Sequence, residues 1–509
     1  MTYLNENILT LILLVPLAGA ILIALLPDRG KAPAWTALLT TLVSFVLTLH
    51  LPTHFLPEGH GFQFEINRPW IESPPIFYHV GIDGLSLWLV VLVGLLAPVG
   101  VLASWNVIKE RRKIFYALFL VQQTAMFGVF VSLDLMLYYG FWELSLVPMA
   151  ILIAMFGRKE GPKTAIKFFL YTFIPSAPLL VAILWLYTHT GTFSFSELQM
   201  LIASGGLPAG ALFWVALAFL FAFAVKVPVF PLHGWISDTF SEAPVALAMV
   251  VAGKLGLYSM LRFHVELFPQ QAKAIAPVLV ALAVIGILYG ACLALVQRDF
   301  WRLMAYAAIS HLSLVTLGIY GLTFTGWDGA VYQILNHGVV DAALFLLLGI
   351  LELRYGTSEI AAFGGLAKRV PQTATLFVIA SLAMIGLPLL NGFVGEFLIL
   401  SSTFTGVSHG WGIAATVGVI LGATYMLWLV QRLFYGQQSQ LAAARPAIDL
   451  HFSEQLMLWP IAVLMLAMGI APSLWFPSIE NRIASPVVKG SVPLPQVNLS
   501  SAVQREGQR

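Results

Sequence analysis

The chain has 509 residues, 59% of them hydrophobic and only 10% charged, with a net charge of +2 and a mean hydropathy of +0.88. That composition excludes an ordinary soluble domain, and the near-neutral balance gives no electrostatic reason to expect a nucleic-acid partner. A single cysteine, Cys292, excludes an internal disulfide and any zinc or iron–sulfur site built from cysteines.

Apolar runs of about 20 residues recur along the chain, each long enough to cross roughly 30 Å of hydrocarbon as a helix. They are continuous rather than alternating, which excludes a membrane β-barrel. The start, "MTYLNENI", has no Lys or Arg ahead of the first run, so residues 8–26 are expected to be a retained helix rather than a secretory signal. Further runs at 35–51, 82–104, 114–133, 135–156, 168–188, 209–226, 244–262, 275–296, 303–321, 329–350, 373–400, 410–431 and 455–476 bring the expected total to about 14 spans. The fold class is therefore an all-α polytopic membrane protein.

Lys and Arg set the expected orientation. One alternating set of connections holds Arg29, Lys31, Lys109, Arg111, Arg112, Lys113, Arg158, Lys159, Lys163, Arg298, Arg302, Arg354, Lys368, Arg369, Arg432 and Arg445, and Lys167 at the edge of a span joins them. The other holds only Arg68, Arg262 and Lys273 before the C-terminal tail. The first set is expected in the cytoplasm, which places both termini on the outer side.

Spans 4–8 and 9–13 read as two five-helix units, and an odd number of crossings inverts the second relative to the first. The expected division is 1–113, 114–263, 264–436 and 437–509. Each five-helix unit holds a stretch broken by Pro and Gly, "KVPVFPLHG" at 226–234 and "GLPLLNGFVGE" at 386–396. Broken segments paired across two inverted halves point to a transport site, because freed backbone groups need water or polar partners. The plain alternative for either break is a proline kink that serves packing.

Ionisable residues inside the runs carry the next signal. Glu143 lies within "YYGFWELSLVPMAI", Lys226 ends its run, Lys254 and His311 are central in theirs, His337 and Asp341 share a span, and Glu396 follows the second break. A charge at mid-membrane costs about 2.5–3.5 kcal/mol on insertion scales, so a set of this size implies partners or water. A proton or ion path is the reading that uses them all. A lone histidine such as His311 also fits a bond between helices. His337 and Asp341 are four residues apart, share a helix face and are expected to interact. Glu143 and Lys226 are expected to pair between helices, and separating them would let the lysine give up its proton. No dinucleotide fingerprint or P-loop is present, "GRKEGPK" at 157–163 being only superficially like one, so no cofactor, metal or redox centre is expected here.

The stretches "GIDGLSL" (81–87), "FWELSLVPM" (141–149), "AFAVKVPVFPLHGW" (222–235), "SEAP" (241–244), "RLMAYAAISHLSLV" (302–315), "NHGVVDAALFLL" (336–347) and "NGFVGEF" (391–397) resemble the antiporter-like proton-translocating subunits of respiratory complex I. The likeness runs over nearly the whole chain. Glu396 stands where other chains of that family carry lysine, which marks one chain type within it. The resemblance implies a glutamate–lysine pair at Glu143 and Lys226, connecting residues at Lys254 and His311, a central histidine at His337 and a terminal acid at Glu396. It implies proton movement through Lys254 or His311 toward His337 and out through Glu396, coupled to NADH oxidation and quinone reduction in other subunits. The partners would be other membrane-arm subunits, neighbouring antiporter-like chains included, and lipid. The location would be the inner (plasma) membrane. Two departures stand out: about three residues fewer than the family pattern between Pro244 and Lys254, and Asp341 where a small polar or apolar residue is expected. Alternatives are a subunit of a multi-chain Na+/H+ antiporter, a subunit of a membrane-bound hydrogenase, and a scaffold whose polar axis only glues helices.

Overall fold

A computed structural model describes residues 2–27, 30–59, 61–251 and 254–483. The spans begin with α1 (Thr2–Leu25) and α2 (Ala32–His54), which pack against α3 (Leu87–Ser104) and α4 (Arg112–Val131). Between α2 and α3 the sequence reading saw only a connection. The structure places an antiparallel hairpin there, β1 (Gln63–Ile71) and β2 (Ile76–Ile82), with Ile66 opposite Val80 and Arg68 opposite Tyr78. Among the described residues this is one small sheet in an otherwise mostly helical chain, tied to the bundle by the bond from Leu133 N–H to His79 O, 2.9 Å.

The first five-crossing unit follows. It consists of α4, then α5 (Leu135–Leu144) with α6 (Leu146–Phe156), α7 (Gly161–Thr190), the surface helix α8 (Phe195–Ala203) and the broken pair α9 (Ala209–Lys226) and α10 (Ile236–Glu242). It ends with α11 (Val245–Val251), α12 (Lys254–Ser259) and a π-helical turn, Met260–Val265. The second unit runs through α13 (Pro269–Leu295), α14 (Phe300–Tyr320), α15 (Phe324–Tyr355), the broken pair α16 (Pro371–Met384) and α17 (Asn391–Gly406), and α18 (His409–Phe434). After it come α19 (Gln440–Ala444), α20 (Phe452–Ile470) and α21 (Phe476–Ile483). Among the described residues 13 helical stretches are long and apolar enough to cross a membrane. The α16–α17 pair is the further one that the sequence reading counted as a single span. Residues 484–509 and Arg29 lie outside the described residues, as does any expectation resting on them.

One corner occurs twice. Asp134 caps α5 by accepting from Met136 N–H and Leu137 N–H, at 2.9 and 3.0 Å. The adjoining backbone pairs with the segment after α7, through Leu135 N–H to Phe193 O and Phe195 N–H to Leu133 O. Asp299 caps α14 in the same way, accepting from Trp301 N–H and Arg302 N–H at 2.9 and 3.0 Å. Its neighbours pair with the segment after α15, through Phe300 N–H to Ser358 O and Ile360 N–H to Arg298 O. An aspartate at this position satisfies two otherwise orphaned N–H groups of the first turn. Both α7 and α15 end on a left-handed glycine, Gly191 and Gly356, each with φ +76°, the conformation that glycine takes at least cost. The members of the second set, Asp299, Gly356 and Glu359, each follow Asp134, Gly191 and Ser194 at one constant spacing. Five of the apolar stretches long enough to cross a membrane lie between the two corners.

On the face of the second corner the two units are latched. Arg158, between α6 and α7, donates to the carbonyls of Ser241 and Ala243 at 2.9 Å and to Glu352 of α15 at 3.1 Å, and its guanidinium stacks on Trp301 at 4.4 Å. Trp301 Nε1 donates to the same Glu352 carboxylate, 3.1 Å. The arginine thereby satisfies carbonyls at the end of α10, the second half of the first broken helix.

Arg262 needs a correction. The sequence reading used it as a charge of an outward connection, but it lies inside the π-helical turn, 2% exposed, paired with Asp83 and with Glu266. A buried, paired arginine answers to its partners and not to membrane sidedness.

Candidate functional site

The site forms where both units bring ionisable side chains into the apolar interior. Lys226 is the last residue of α9, because Pro228 cannot donate to the helix ladder and the chain stays non-helical until Ile236. Its Nζ lies 3.4 Å from Ser145 Oγ and 5.0 Å from the Trp142 ring centre. Ser145 sits at the interruption between α5 and α6, two residues beyond Glu143. Glu143 itself is half-buried and faces Ser176 of α7, with exposed positions at Gly140 and Val147 on either side. The expected contact between Glu143 and Lys226 is not made. Ser145 and Trp142 occupy the lysine head instead.

From this break the chain leads to Lys254. Gly256 lets α12 lie against the end of α9, since a Cβ there would come within 2.6 Å of Val227 Cγ2. Lys254, 3% exposed, reaches past Gly338 of α15, where a Cβ would sit 2.9 Å from its Cε. The sequence reading took 244–262 as one span. The structure has one apolar span there, Val245–Val265, which ends in the widened turn, with residues 252–253 outside the described set.

Lys254 meets an acid. Its Nζ stands 3.6 Å from Asp341 Oδ2, and the same oxygen stands 2.7 Å from His337 Nδ1. His337 and Asp341 are 4% and 1% exposed. The expected contact of these two residues along one helix face is therefore present, and Lys254 joins it from another helix.

The order beyond His337 differs from the expectation. His311 was read as an alternative to Lys254 on the approach to His337, but α14 packs against both α15 and α17 and sets His311 beside Glu396, beyond His337. Its ring centre lies 5.8 Å from that of His337, and its Nδ1 lies 3.4 Å from Glu396 Oε1. The second break supports the acid. Gly386, at φ +69°, is a position where a Cβ would strike the Glu396 carboxylate, and a Cβ on Gly395 would strike Gln333. Small residues here let backbones and polar heads approach closely inside the membrane.

Several members of the site were missed in the sequence. Gln333 Nε2 lies 3.4 Å from Glu396 Oε1, and Tyr425 Oη lies 3.3 Å from His311 Nε2. Asn336 donates to Asn391 O at 2.7 Å and so clamps α15 to the start of α17. Asn336 and Asn391 stand inside the stretches "NHG" and "NGF", where a polar residue beside a break was the available signal. Two small cavities of about 10 Å³ each, room for the centre of one water, flank His311. One is lined by His337, Asp341 and Asn336, the other by Ser310 and Glu396.

Two broken helices flanking a chain of buried ionisable side chains define an antiporter-like membrane subunit. Residues 132–422 match the family described as NADH:quinone oxidoreductase/Mrp antiporter, TM. The chain is 38% identical to NADH-quinone oxidoreductase subunit M of Rhodobacter capsulatus, over 92% of this chain and 94% of that one. A chain in the structure of respiratory complex I from Thermus thermophilus with bound NADH superposes with a TM-score of 0.84 at 30% identity, covering 94% of this chain and 99% of that one. A chain of the Mrp complex from Dietzia sp. DQ12-45-1b shares the fold, with a TM-score of 0.81 at 22% identity, covering 96% of this chain and 52% of that one. The chain belongs to the NADH-quinone oxidoreductase subunit M family.

Proposed function

We propose that this chain moves protons across the inner (plasma) membrane as a membrane-arm subunit of a proton-pumping NADH–quinone oxidoreductase, with oxidation of NADH and reduction of quinone carried out by other subunits. The observation that carries the reading is the unbroken order Lys254, Asp341, His337, His311, Glu396 through an apolar interior. Charges held this deep are costly, and a series at contact or one-water spacing is what stepwise proton transfer requires. Glu143, half-buried beside exposed positions, is placed to sense a neighbouring antiporter-like chain and to influence Lys226 through space. Protons enter from the cytoplasm toward Lys254 and leave near Glu396. The two five-crossing units are read as inverted repeats, with the recurring aspartate corner as their mark. Both chain termini lie on the outer side.

The test uses the assembled complex in sealed vesicles, with protons moved per NADH oxidised as the readout. Lys254→Met and Glu396→Gln should each assemble and lose most pumping. Unchanged pumping in both would leave the polar chain as glue and overturn the reading. Cysteines at 106–113 and 157–163 should react with a membrane-impermeant reagent from the cytoplasmic side, and those at 62–70 from the other side. Labelling of both sets from one side would overturn the orientation.

A further inference from the structure

Asp341 is the charge that the sequence least explains, and its surroundings are unusual for a structural bridge. The titratable groups facing it are Lys254 from α12, His337 on its own helix, His311 from α14 and Tyr425 from α18, with Glu396 of α17 beyond His311. A carboxylate kept as glue is normally saturated with donors, because a buried charge short of them costs more than its pair returns. Here neither oxygen of Asp341 and neither ring nitrogen of His337 makes a hydrogen bond of good geometry. The 2.7 Å approach of Nδ1 to Oδ2 is close without being aligned. Among the described residues Lys254 has, besides its 3.6 Å approach to Asp341, one long bond of 3.4 Å to Met249 O. The three groups are near enough to exchange a proton and too loosely bonded to be locked.

We infer that Asp341 carries the proton between Lys254 and His337, a step that rests on the proton-path reading given above. In the first step an Nζ–H bond of the Lys254 ammonium breaks as an Oδ2–H bond forms, which leaves a neutral amine and a neutral acid. In the second the Oδ2–H bond breaks as an Nδ1–H bond forms on a His337 that already carries its other proton on Nε2. The products are an imidazolium, a carboxylate and a free amine ready for the next proton from the inlet. The summed charge of the three groups stays at zero through both transfers, so neither creates a net charge in a medium that penalises one. The imidazolium then releases its Nε2 proton toward His311 and Glu396 as the Lys254 amine takes the next proton from the inlet, which returns the sum to zero, and the ring turns over to present a bare Nδ1 again. A path with no acid between the two bases would have to hold one cation without a counter-charge at every stage.

The experiment compares Asp341→Asn, Asp341→Glu and Lys254→Met in the assembled complex, reading protons moved per NADH and the thermal midpoint together. Asp341→Asn keeps the shape and removes the titrating group. It should lower pumping about tenfold or more, to the level of Lys254→Met, with assembly retained. Asp341→Glu keeps the charge but displaces the acid by one methylene, and should fall between Asp341→Asn and the natural chain. Should Asp341→Asn not assemble, Asp341→Glu still decides, because a fixed counter-ion predicts natural pumping and a carrier predicts several-fold slower pumping. Natural pumping in either Asp341 variant beside a defective Lys254→Met overturns this proposal alone. Natural pumping in all three removes the proton-path reading as well.

Discussion

Residues 112–265 and 269–434 each hold five crossings, an aspartate that opens the second helix, a left-handed glycine that closes the third, and a broken fourth. Their interiors differ. In the second unit His337, Asp341, His311 and Glu396 follow one another at short range, and Lys254 is joined to them from the end of the first. In the first unit Lys226 and Glu143 are kept apart, the lysine held by Ser145 and Trp142. One scaffold therefore supports a continuous polar chain and an interrupted one. The interruption leaves the isolated acid half-buried beside the exposed positions Gly140 and Val147.

Substitutions can break this contrast or sharpen it. The largest effect is expected from His337→Ala, which opens the continuous chain at its middle. Pumping per NADH should drop by about a factor of ten or more, on the scale of a lost acid–base group. Retained pumping would mean that the second unit is no more connected than the first. Glu143→Gln should cost severalfold in pumping, and Glu143→Asp less, since the charge remains. If both leave pumping intact, the isolated acid has no part in coupling.

A smaller effect tests what holds the two units together. Arg158→Ala removes the donor to the carbonyls at the end of α10 and leaves Glu352 with only Trp301 as a side-chain partner. The expected loss is about 2 kcal/mol, reduced from the value for a fully buried pair because both side chains keep some access to water. A thermal melt of the purified complex measures it. Arg158→Lys should recover only part, because an ammonium cannot serve the carbonyls, Glu352 and the Trp301 face together.

The smallest effect belongs to Asp449, outside the spans. Burial works against its charge, but the N–H groups of Gln372, Thr373 and Leu450 and the Thr373 hydroxyl outweigh that and hold its carboxyl below the usual range. A depressed carboxylate stabilises the fold above its unfolded value of about 3.9, and that contribution is lost as pH falls through the lower folded value. The melting advantage over Asp449→Asn should therefore be present at about pH 6, begin to shrink near about pH 4 and vanish only once the pH is below the lowered folded value. A gap that stays constant with pH would show that the hydrogen bonds survive without the charge.

Much of this was legible in the sequence because membrane helices must satisfy their backbone internally, so apolar length and Pro–Gly breaks report directly on crossings. The buried residues Lys226, Lys254, His311, His337, Asp341 and Glu396 were found from their cost alone. Their order was not, because it depends on which helices pack together. His311 reaches Glu396 across α14 and α17, and Lys254 reaches Asp341 across α12 and α15. The hairpin escaped notice because Pro69 interrupts the strand signal of β1 and the turn between the strands is rich in proline. The π-helical turn at Met260–Val265 follows from tertiary anchoring of Arg262, which no period in the sequence announces.

The aspartate corner also bears on how such a chain can be inserted during synthesis. Lys and Arg hold a short loop on the cytoplasmic side, whereas Asp and Glu exert little pull. A corner whose cap depended on arginine could be used in one direction only. Built on Asp134 and on Asp299, the same turn can enter the bilayer either way up. The copies differ in the residue just before the cap, Leu133 in one and Arg298 in the other. The geometry is written in a residue that insertion hardly reads, and the address is written beside it.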